Sequence, residues 1–186
     1  MRLFTAIPVP ENVRESIILG SAPLRGAYPD LRWVGMDALH ITLMFLGEVR
    51  EALVDPLCQV LREVVPVQSP FRIVYRGLGS FPRKGKPRVV YLHIAEGISE
   101  CRKVHEALTN GIGRIVEADR RNFIPHLTIA RNKDSRIWPD VMKEGKDIAA
   151  SFIAETVVLY RSHLKPNGAE YEELCSVPLT GRKKHV

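Results

Sequence analysis

The feature that most constrains how this chain can fold is a polar–apolar pattern that occurs once in each half of the sequence. It reads His40-Ile41-Thr42 in the first half and His126-Leu127-Thr128 in the second. Side chains alternate between the two faces of a β-strand, so each histidine shares a face with its threonine and the apolar neighbours share the other. One such segment alone is typical of a solvated strand face. Two copies indicate a shared site if their strands meet across a groove.

The hydrophobic pattern around these segments is typical of an α+β protein. Apolar residues recur at helical spacing over residues 50–65 and 99–116, and a further helix is predicted to begin at Pro10. Strands are predicted over residues 2–7, 31–34, 39–46, 71–78, 89–94, 126–130, 152–160 and 171–177, and a weaker helix over 139–146. The turn sequence Lys165-Pro166-Asn167-Gly168 predicts that the last two strands form a β-hairpin, and Gly47 is expected to end the strand of the first motif. Mixed strands and helices that end in a hairpin favour largely antiparallel sheet.

Size and charge bound the class of protein. The 186 residues are 45% hydrophobic and 26% charged, which is ordinary for one globular domain or one domain with two lobes. The formal charge of +6 suits a polyanionic partner, although it is also typical of a basic protein that is merely soluble. No apolar run is long enough for a membrane helix, and no signal peptide is evident, so we predict a cytoplasmic protein without a membrane partner.

The number and spacing of the cysteines predict neither a set of disulfides nor a zinc site. Cys58, Cys101 and Cys175 are odd in number, lie far apart and form no C-x-x-C pair. We therefore expect neither a disulfide framework nor a cysteine zinc site, and a reducing compartment. Cys58 and Cys101 fall in predicted helices, where they are expected to be packing residues.

Two histidines that face each other supply the chemistry needed to open a cyclic phosphate. Near neutral pH one imidazole can remove a proton from water while the other protonates the departing ribose oxygen. The threonine hydroxyls can donate to the non-bridging oxygens of the phosphate. A metal site is the competing interpretation, but neither motif has a further ligand at a usual spacing, and no P-loop or G-x-G-x-x-G is present. We predict no metal and no cofactor.

At both motifs the sequence resembles the 2H phosphoesterase superfamily, and within it the RNA 2′,3′-cyclic phosphodiesterases, formerly called 2′-5′ RNA ligases. The resemblance rests on Leu3–Ile7, Arg32–Val34, Leu39–Gly47, Phe123–Arg131 and Leu159–Ser162. It implies a bilobal α+β fold, with two pseudo-symmetric antiparallel sheets and flanking helices around a central groove. One such domain is expected to span residues 1–186.

The resemblance also implies a role for each motif residue. His126 would be the base that activates water, and His40 the acid for the 3′ oxygen, so that the product carries a 2′-phosphate. Thr42 and Thr128 would bind the phosphate. Arg131 would add a fixed positive charge beside it, which a guanidinium suits, and the alternative is a surface cation that ends a strand.

Further contacts with RNA are expected outside the motifs. An aromatic residue at Phe45 can border the terminal base in relatives, but alternation along an unbroken strand puts Phe45 on the face opposite Thr42. A basic loop can follow the RNA backbone or is simply solvated, and its cations are Arg83, Lys84, Lys86 and Arg88. Trp33 is expected in the core. The other histidines have no partner motif and are interpreted as structural or surface residues: His93, His105, His163 and His185.

The implied partner is RNA with a 2′,3′-cyclic phosphate end, including tRNA fragments, and the protein is expected to be a monomer. A second hypothesis keeps the same histidines but assigns a 2′-5′ RNA ligase, a 2′-5′ phosphodiesterase or a cyclic nucleotide phosphodiesterase. A third hypothesis is a module that binds RNA ends without turnover. The intact pair of motifs disfavours that module, because binding alone does not need an acid and a base.

Overall fold

The computed structural model describes residues 1–82, 88–117, 122–132, 141, 144–165 and 168–182. Within these ranges nine strands form two antiparallel sheets. Sheet A contains β1 (Arg2–Pro8), β3 (His40–Glu48), β8 (Thr156–Lys165) and β9 (Gly168–Pro178). Sheet B contains β2 (Arg32–Trp33), β4 (Phe71–Phe81), β5 (Val89–Glu96), β6 (His126–Arg131) and β7 (Ala149–Ala154). The helices are α1 (Glu11–Ala27), α2 (Val54–Val64) and α3 (Ile98–Ile112), with 3₁₀ turns at Met36–Ala38, Glu51–Leu53, Val65–Val67 and Gly145–Asp147.

The two sheets have matching strand orders. Sheet A runs β3-β1-β8-β9, and sheet B runs β6-β5-β4-β7 with the two-residue β2 added outside β6. The motif strands β3 and β6 occupy equivalent places and contact each other where the sheets meet. The predicted α+β class with two pseudo-symmetric antiparallel sheets is therefore confirmed, and the space bordered by β3 and β6 is the groove between the lobes.

The helices cover the sheets with one apolar face each. In α2, Leu57 and Leu61 are spaced by one helical turn, and both are fully buried. Truncation of either to alanine would cost about 2–5 kcal/mol of stability. Helix α1 packs on β7, whereas α2 and α3 pack on each other and reach β9 and β3 of sheet A. None of the described helices is long and apolar enough to cross a membrane.

Several predicted boundaries differ from the structure. The strand predicted over residues 152–160 is wrong, because the chain leaves sheet B at Ala154 and enters sheet A at Thr156. A continuous apolar run does not reveal which sheet each part joins. Strand β3 does not end at Gly47 but continues to Glu48, since Gly47 adopts a positive φ of 69° within the strand. The helix predicted over residues 99–116 ends at Ile112, and only part of the one predicted over 139–146 lies within the described residues.

A disulfide corrects the expectation drawn from the cysteines. Cys58 of α2 and Cys175 of β9 are bonded, with a Cα–Cα distance of 6.2 Å across a sequence separation of 117 residues. Cys101 is free and buried, as expected of a packing residue. Distance along the chain carries no information on this pair, because only the packing of α2 on β9 brings the two thiols together.

Candidate active site

The two motif strands present their polar residues to the groove as predicted. In β3, Ile41 and Leu43 are buried, while His40 and Thr42 keep partial contact with solvent. The same alternation holds in β6 over residues 126–129. The apolar row anchors each strand in the core, so the polar pair is fixed by the packing on the opposite face.

A β-bulge follows the threonine of the first motif. Thr42 pairs with Ala6 of β1, and Met44 pairs with Thr5, so that Leu43 lies outside the ladder. Both Leu43 and Met44 are buried, which shifts the alternation by one residue. The residue three places after Thr42 therefore lies on the same face as Thr42.

That residue is Phe45, which the unbroken alternation placed on the wrong face. Its side chain is 50% exposed, and its ring lies 6.1 Å from Phe4, whose ring is in turn 4.9 Å from His40. Phe45 thus borders the groove on the His40 side.

The second motif has a bulge at the equivalent position. Thr128 pairs with Tyr91 of β5 and Ala130 with Val90, which leaves Ile129 outside the ladder. Arg131 follows the bulge and is exposed. Its positive charge lowers the pKa of both motif histidines, which places Arg131 near the groove.

Both histidines are held in the same way by the carbonyl two residues earlier. The Nδ1 atom of His40 lies 2.9 Å from the carbonyl oxygen of Ala38, and that of His126 lies 2.7 Å from the oxygen of Ile124. A carbonyl only accepts, so Nδ1 carries the proton in each ring, and in the neutral form Nε2 has the lone pair. The Thr42 hydroxyl lies 3.0 Å from Nε2 of His40 and donates to it.

The environment keeps both imidazoles neutral. Burial lowers the pKa of His40 to about 4 from its usual 6.5; the bond to Ala38 opposes this shift, and the charges of His126 and Arg131 add to it. Burial also lowers the pKa of His126, opposed by the Ile124 carbonyl and assisted by Arg131. At pH 7 each Nε2 of the free protein is therefore a proton acceptor.

Aromatic rings surround the histidines on both sides of the groove, and the sequence pattern had not singled them out. Around His40, the ring of Tyr171 stands edge-on at 5.0 Å and that of Tyr160 lies at 6.4 Å. We call the aromatic surface on this side the sheet A wall, and it consists of Phe4, Phe45, Tyr160 and Tyr171. Around His126, Phe81 lies edge-on at 4.9 Å and Tyr91 at 5.3 Å.

Only one cation of the predicted basic loop falls within the described residues. Arg83, Lys84 and Lys86 lie outside them. Arg88 is exposed, its N–H donates to the carbonyl of Phe81 at 2.7 Å, and its own carbonyl accepts from Asn132 at 2.9 Å. Because Asn132 follows Arg131, Arg88 joins the two strand ends that carry Phe81 and Arg131.

The remaining aromatic and histidine candidates have mostly structural contacts. The indole of Trp33 donates to the carbonyl of Tyr28 at 3.0 Å and is covered by a guanidinium, so Trp33 is half-buried against the core and not inside it, as had been expected. His163 contacts Glu172 at 2.7 Å on the surface, and His185 lies outside the described residues. His93 is the exception, because it is exposed and lies opposite His126 in the β5–β6 ladder.

His105 links the two motifs. Its Nδ1–H donates to the carbonyl oxygen of Leu43 at 2.9 Å, which is the residue that the bulge in β3 removes from the ladder. Its ring stacks on Phe123 at 4.2 Å, three residues before His126. A residue interpreted as structural therefore supports the backbone that positions both sides of the groove.

Among the residues that the structure describes, no cluster of three or more His, Cys, Asp or Glu side chains is placed to hold a metal ion. The groove instead combines two imidazoles, two threonine hydroxyls and one guanidinium, a set that binds and protonates anionic oxygens. Two sheets that each contribute one His-x-Thr strand to such a groove define the class of two-histidine phosphoesterases.

Comparison with known proteins agrees with this class. The sequence profile of the 2′-5′ RNA ligase superfamily matches residues 14–166. The chain is 33% identical to the RNA 2′,3′-cyclic phosphodiesterase of Methanocaldococcus jannaschii over 92% of its own length and 97% of that protein. It is 31% identical to the Geobacillus stearothermophilus protein of the same name over 96% of this chain, but spans only 57% of that longer protein. The crystal structure of TT0787 of Thermus thermophilus superposes with a TM-score of 0.81 at 29% identity, covering 98% of this chain and 100% of that one.

The chain therefore belongs to the 2′-5′ RNA ligase superfamily, and the resemblance to the 2H phosphoesterases is confirmed.

Proposed function

We propose that this protein hydrolyses 2′,3′-cyclic phosphate ends of RNA to 2′-phosphate ends without a metal ion, using His40 and His126 as acid and base. The observation that carries the proposal is the matched state of the two imidazoles. Each is neutral and held by Nδ1 on a backbone carbonyl, with Nε2 left for chemistry. The names of the M. jannaschii and G. stearothermophilus relatives support the same substrate class.

The reaction needs one proton removed and one delivered. Nε2 of His126 takes a proton from water as the water oxygen bonds to phosphorus. The bond from phosphorus to the ribose 3′ oxygen breaks on the opposite side, and Nε2–H of His40 gives its proton to that oxygen. His126 ends protonated and His40 neutral, and exchange with solvent restores both.

Charge on the phosphate oxygens is balanced by groups on both strands. The Thr42 and Thr128 hydroxyls donate to the non-bridging oxygens, and Arg131 supplies a full positive charge. The resting contact between Thr42 and His40 must then change. Once Nε2 of His40 carries a proton, the Thr42 hydroxyl can no longer donate to it and is released to donate to the phosphate.

Substrate binding must also raise the pKa of the acid. Burial lowers the pKa of His40 to about 4 in the free protein, and repulsion by His126 and Arg131 adds to this shift. The negative charge of a bound cyclic phosphate offsets this repulsion and favours the imidazolium. Binding of the substrate therefore favours the protonated form of His40, which is the form that can act as the acid.

The direct test incubates the protein in EDTA with an oligoribonucleotide that ends in a 2′,3′-cyclic phosphate, and identifies the product by mass and phosphatase sensitivity. We expect the gain of one water and a 2′-phosphate end. His40→Ala and His126→Ala should each lower turnover by about 10²–10⁴-fold. His163→Ala, at a surface pair with Glu172, is the matched control and should keep full activity.

The same assay separates the competing functions. Turnover of 2′-5′ oligoadenylate in place of the cyclic end would favour the 2′-5′ phosphodiesterase or ligase, and tight, salt-dependent binding without turnover would favour a binding module. A 3′-phosphate product would mean that the ribose 2′ oxygen, and not the 3′ oxygen, is the leaving group.

We also propose that the protein is a cytoplasmic monomer that accepts cyclic-ended tRNA fragments. Cell fractionation tests the location, sedimentation tests the oligomeric state, and a tRNA-fragment substrate tests the third point.

A further inference from the structure

A small pocket opens beside His40, next to the groove. It has a volume of about 140 Å³ and is lined by His40, Arg14, Asp37, Tyr160 and Tyr171 among others. We call it the Arg14 pocket. Three elements distant in sequence build it: α1 supplies Arg14, the 3₁₀ turn before β3 supplies Asp37, and the β8–β9 hairpin supplies both tyrosines. The reaction proposed above uses none of these four side chains.

The Arg14 pocket presents a cation that is only weakly neutralised. Nη1 of Arg14 lies 3.3 Å from Oδ1 of Asp37 and 3.4 Å from the carbonyl oxygen of Met36. The Arg14 side chain is 21% exposed, whereas that of Asp37 is 95% exposed. Water screens such a carboxylate strongly, so the ion pair leaves most of the guanidinium charge uncompensated. Nε of Arg14 is buried and has no hydrogen-bond partner among the residues that the structure describes.

Besides Asp37 and His40, the polar side chains that line the pocket with Arg14 are the two tyrosines. Neither Tyr160 nor Tyr171 hydroxyl makes a hydrogen bond within the described part of the chain, and a phenol hydroxyl readily donates to an anion. Burial raises the pKa of Tyr160, the charge of Glu173 adds to this rise, and the charge of Arg14 opposes it. A guanidinium beside two phenols is suited to the oxygens of a phosphate group, which Arg binds through paired N–H donors.

We propose that the Arg14 pocket binds the phosphate on the 5′ oxygen of the terminal nucleotide, the group that links it to the rest of an RNA chain. The inference rests on the proposed function. If His40 protonates the departing ribose oxygen, the ribose lies on the His40 side of phosphorus, and its 5′ substituent extends on that side too. The Arg14 pocket borders His40 on that side, so the protein distinguishes RNA ends from cyclic mononucleotides by this second phosphate.

The test compares three substrates: a nucleoside 2′,3′-cyclic phosphate, the same compound with a 5′-phosphate, and a dinucleotide with a 2′,3′-cyclic end. A charge-assisted contact predicts a kcat/KM about tenfold or more higher for the second and third substrates than for the first. Arg14→Gln should reduce the ratio of kcat/KM for the second or third substrate to that for the first to about one, and Arg14→Lys should retain part of this preference. Arg50→Gln removes an exposed cation that does not line the pocket, and this variant should keep the whole preference for the second and third substrates.

A second variant guards against misfolding of the Arg14 variants. Tyr171→Phe retains the ring and removes the hydroxyl, and we expect it to lower the same ratio without loss of the folded circular dichroism spectrum. Two results would refute phosphate binding in the Arg14 pocket while leaving the proposed hydrolase intact. One is equal kcat/KM for all three substrates in the unmodified protein, and the other is an unchanged preference for the second and third substrates in Arg14→Gln. Turnover of none of the three would overturn both.

Discussion

Replacement of His40 by Asn should make the protein less sensitive to acid. Asn retains a donor near the position of Nδ1, so the bond to Ala38 can be kept while the titrating imidazole is lost. The pKa of His40 is about 4 in the folded protein and 6.5 when unperturbed. Because the folded pKa is lowered, the unfolded chain binds this proton first as the pH falls. Folding stability is therefore lost between about pH 6.5 and about pH 4.

The magnitude follows from the size of the shift. A pKa lowered from 6.5 to about 4 corresponds to about 3 kcal/mol, at about 1.4 kcal/mol for each pKa unit. His40 keeps partial contact with solvent, which screens a charge there, so we expect roughly 1–2 kcal/mol. The unmodified protein should lose this much more free energy of unfolding than His40→Asn when the pH is lowered from about 8 to about 4.5.

Urea unfolding of both proteins at the two pH values, in the same oxidation state, measures the difference. His126→Asn is the companion variant: burial lowers that pKa as well, so its effect should have the same sign. Identical losses of stability in His40→Asn and in the unmodified protein would refute the claim that burial of this imidazole opposes its protonation.

Three further outcomes follow from the site and its supports. Both histidines have lowered pKa values in the free protein, so the bell-shaped pH profile of kcat/KM should be centred below pH 6.5. The profile of kcat should be centred at a higher pH. A kcat/KM profile centred above pH 6.5 would contradict the pKa shifts. Reduction of the disulfide at Cys58 should lower the free energy of unfolding, measured in urea, by about 3–5 kcal/mol. The control Cys101→Ser should show the same loss on reduction. Equal midpoints of urea unfolding with and without reductant would show that the disulfide does not stabilise the fold. His105→Phe keeps the stack on Phe123 but loses the hydrogen bond to the Leu43 carbonyl, so it should lower kcat more than it changes KM. His105→Asn keeps a donor and should recover part of kcat. Equal defects in both variants would count against a positioning role for His105.

The polar pair of each motif could be predicted because its causes are local. Alternation along a strand decides that His40 and Thr42 share a face, and the buried Ile41 secures it. The mixture of helical and strand periodicities likewise determined the α+β class. These properties depend on residues a few positions apart, which a single sequence displays directly.

Phe45 and the disulfide show where this reasoning fails. Alternation placed Phe45 away from the groove, because a bulge arises from the register between two strands and not from the sequence of one. The Cys58–Cys175 bond and the tyrosines of the sheet A wall depend on contacts between segments more than a hundred residues apart. No local pattern encodes those contacts.

The order of strands in sheet A has a consequence for synthesis of the protein. Both motifs have been synthesised once Arg131 is made, but β8 and β9 come after every strand of sheet B; β8 pairs with β1, and β9 pairs with β8. A nascent chain thus carries both histidines while sheet A, which holds His40, still lacks two of its four strands. We expect activity to appear only when the last hairpin has docked, so a protease that clips this hairpin would silence the enzyme without touching either motif.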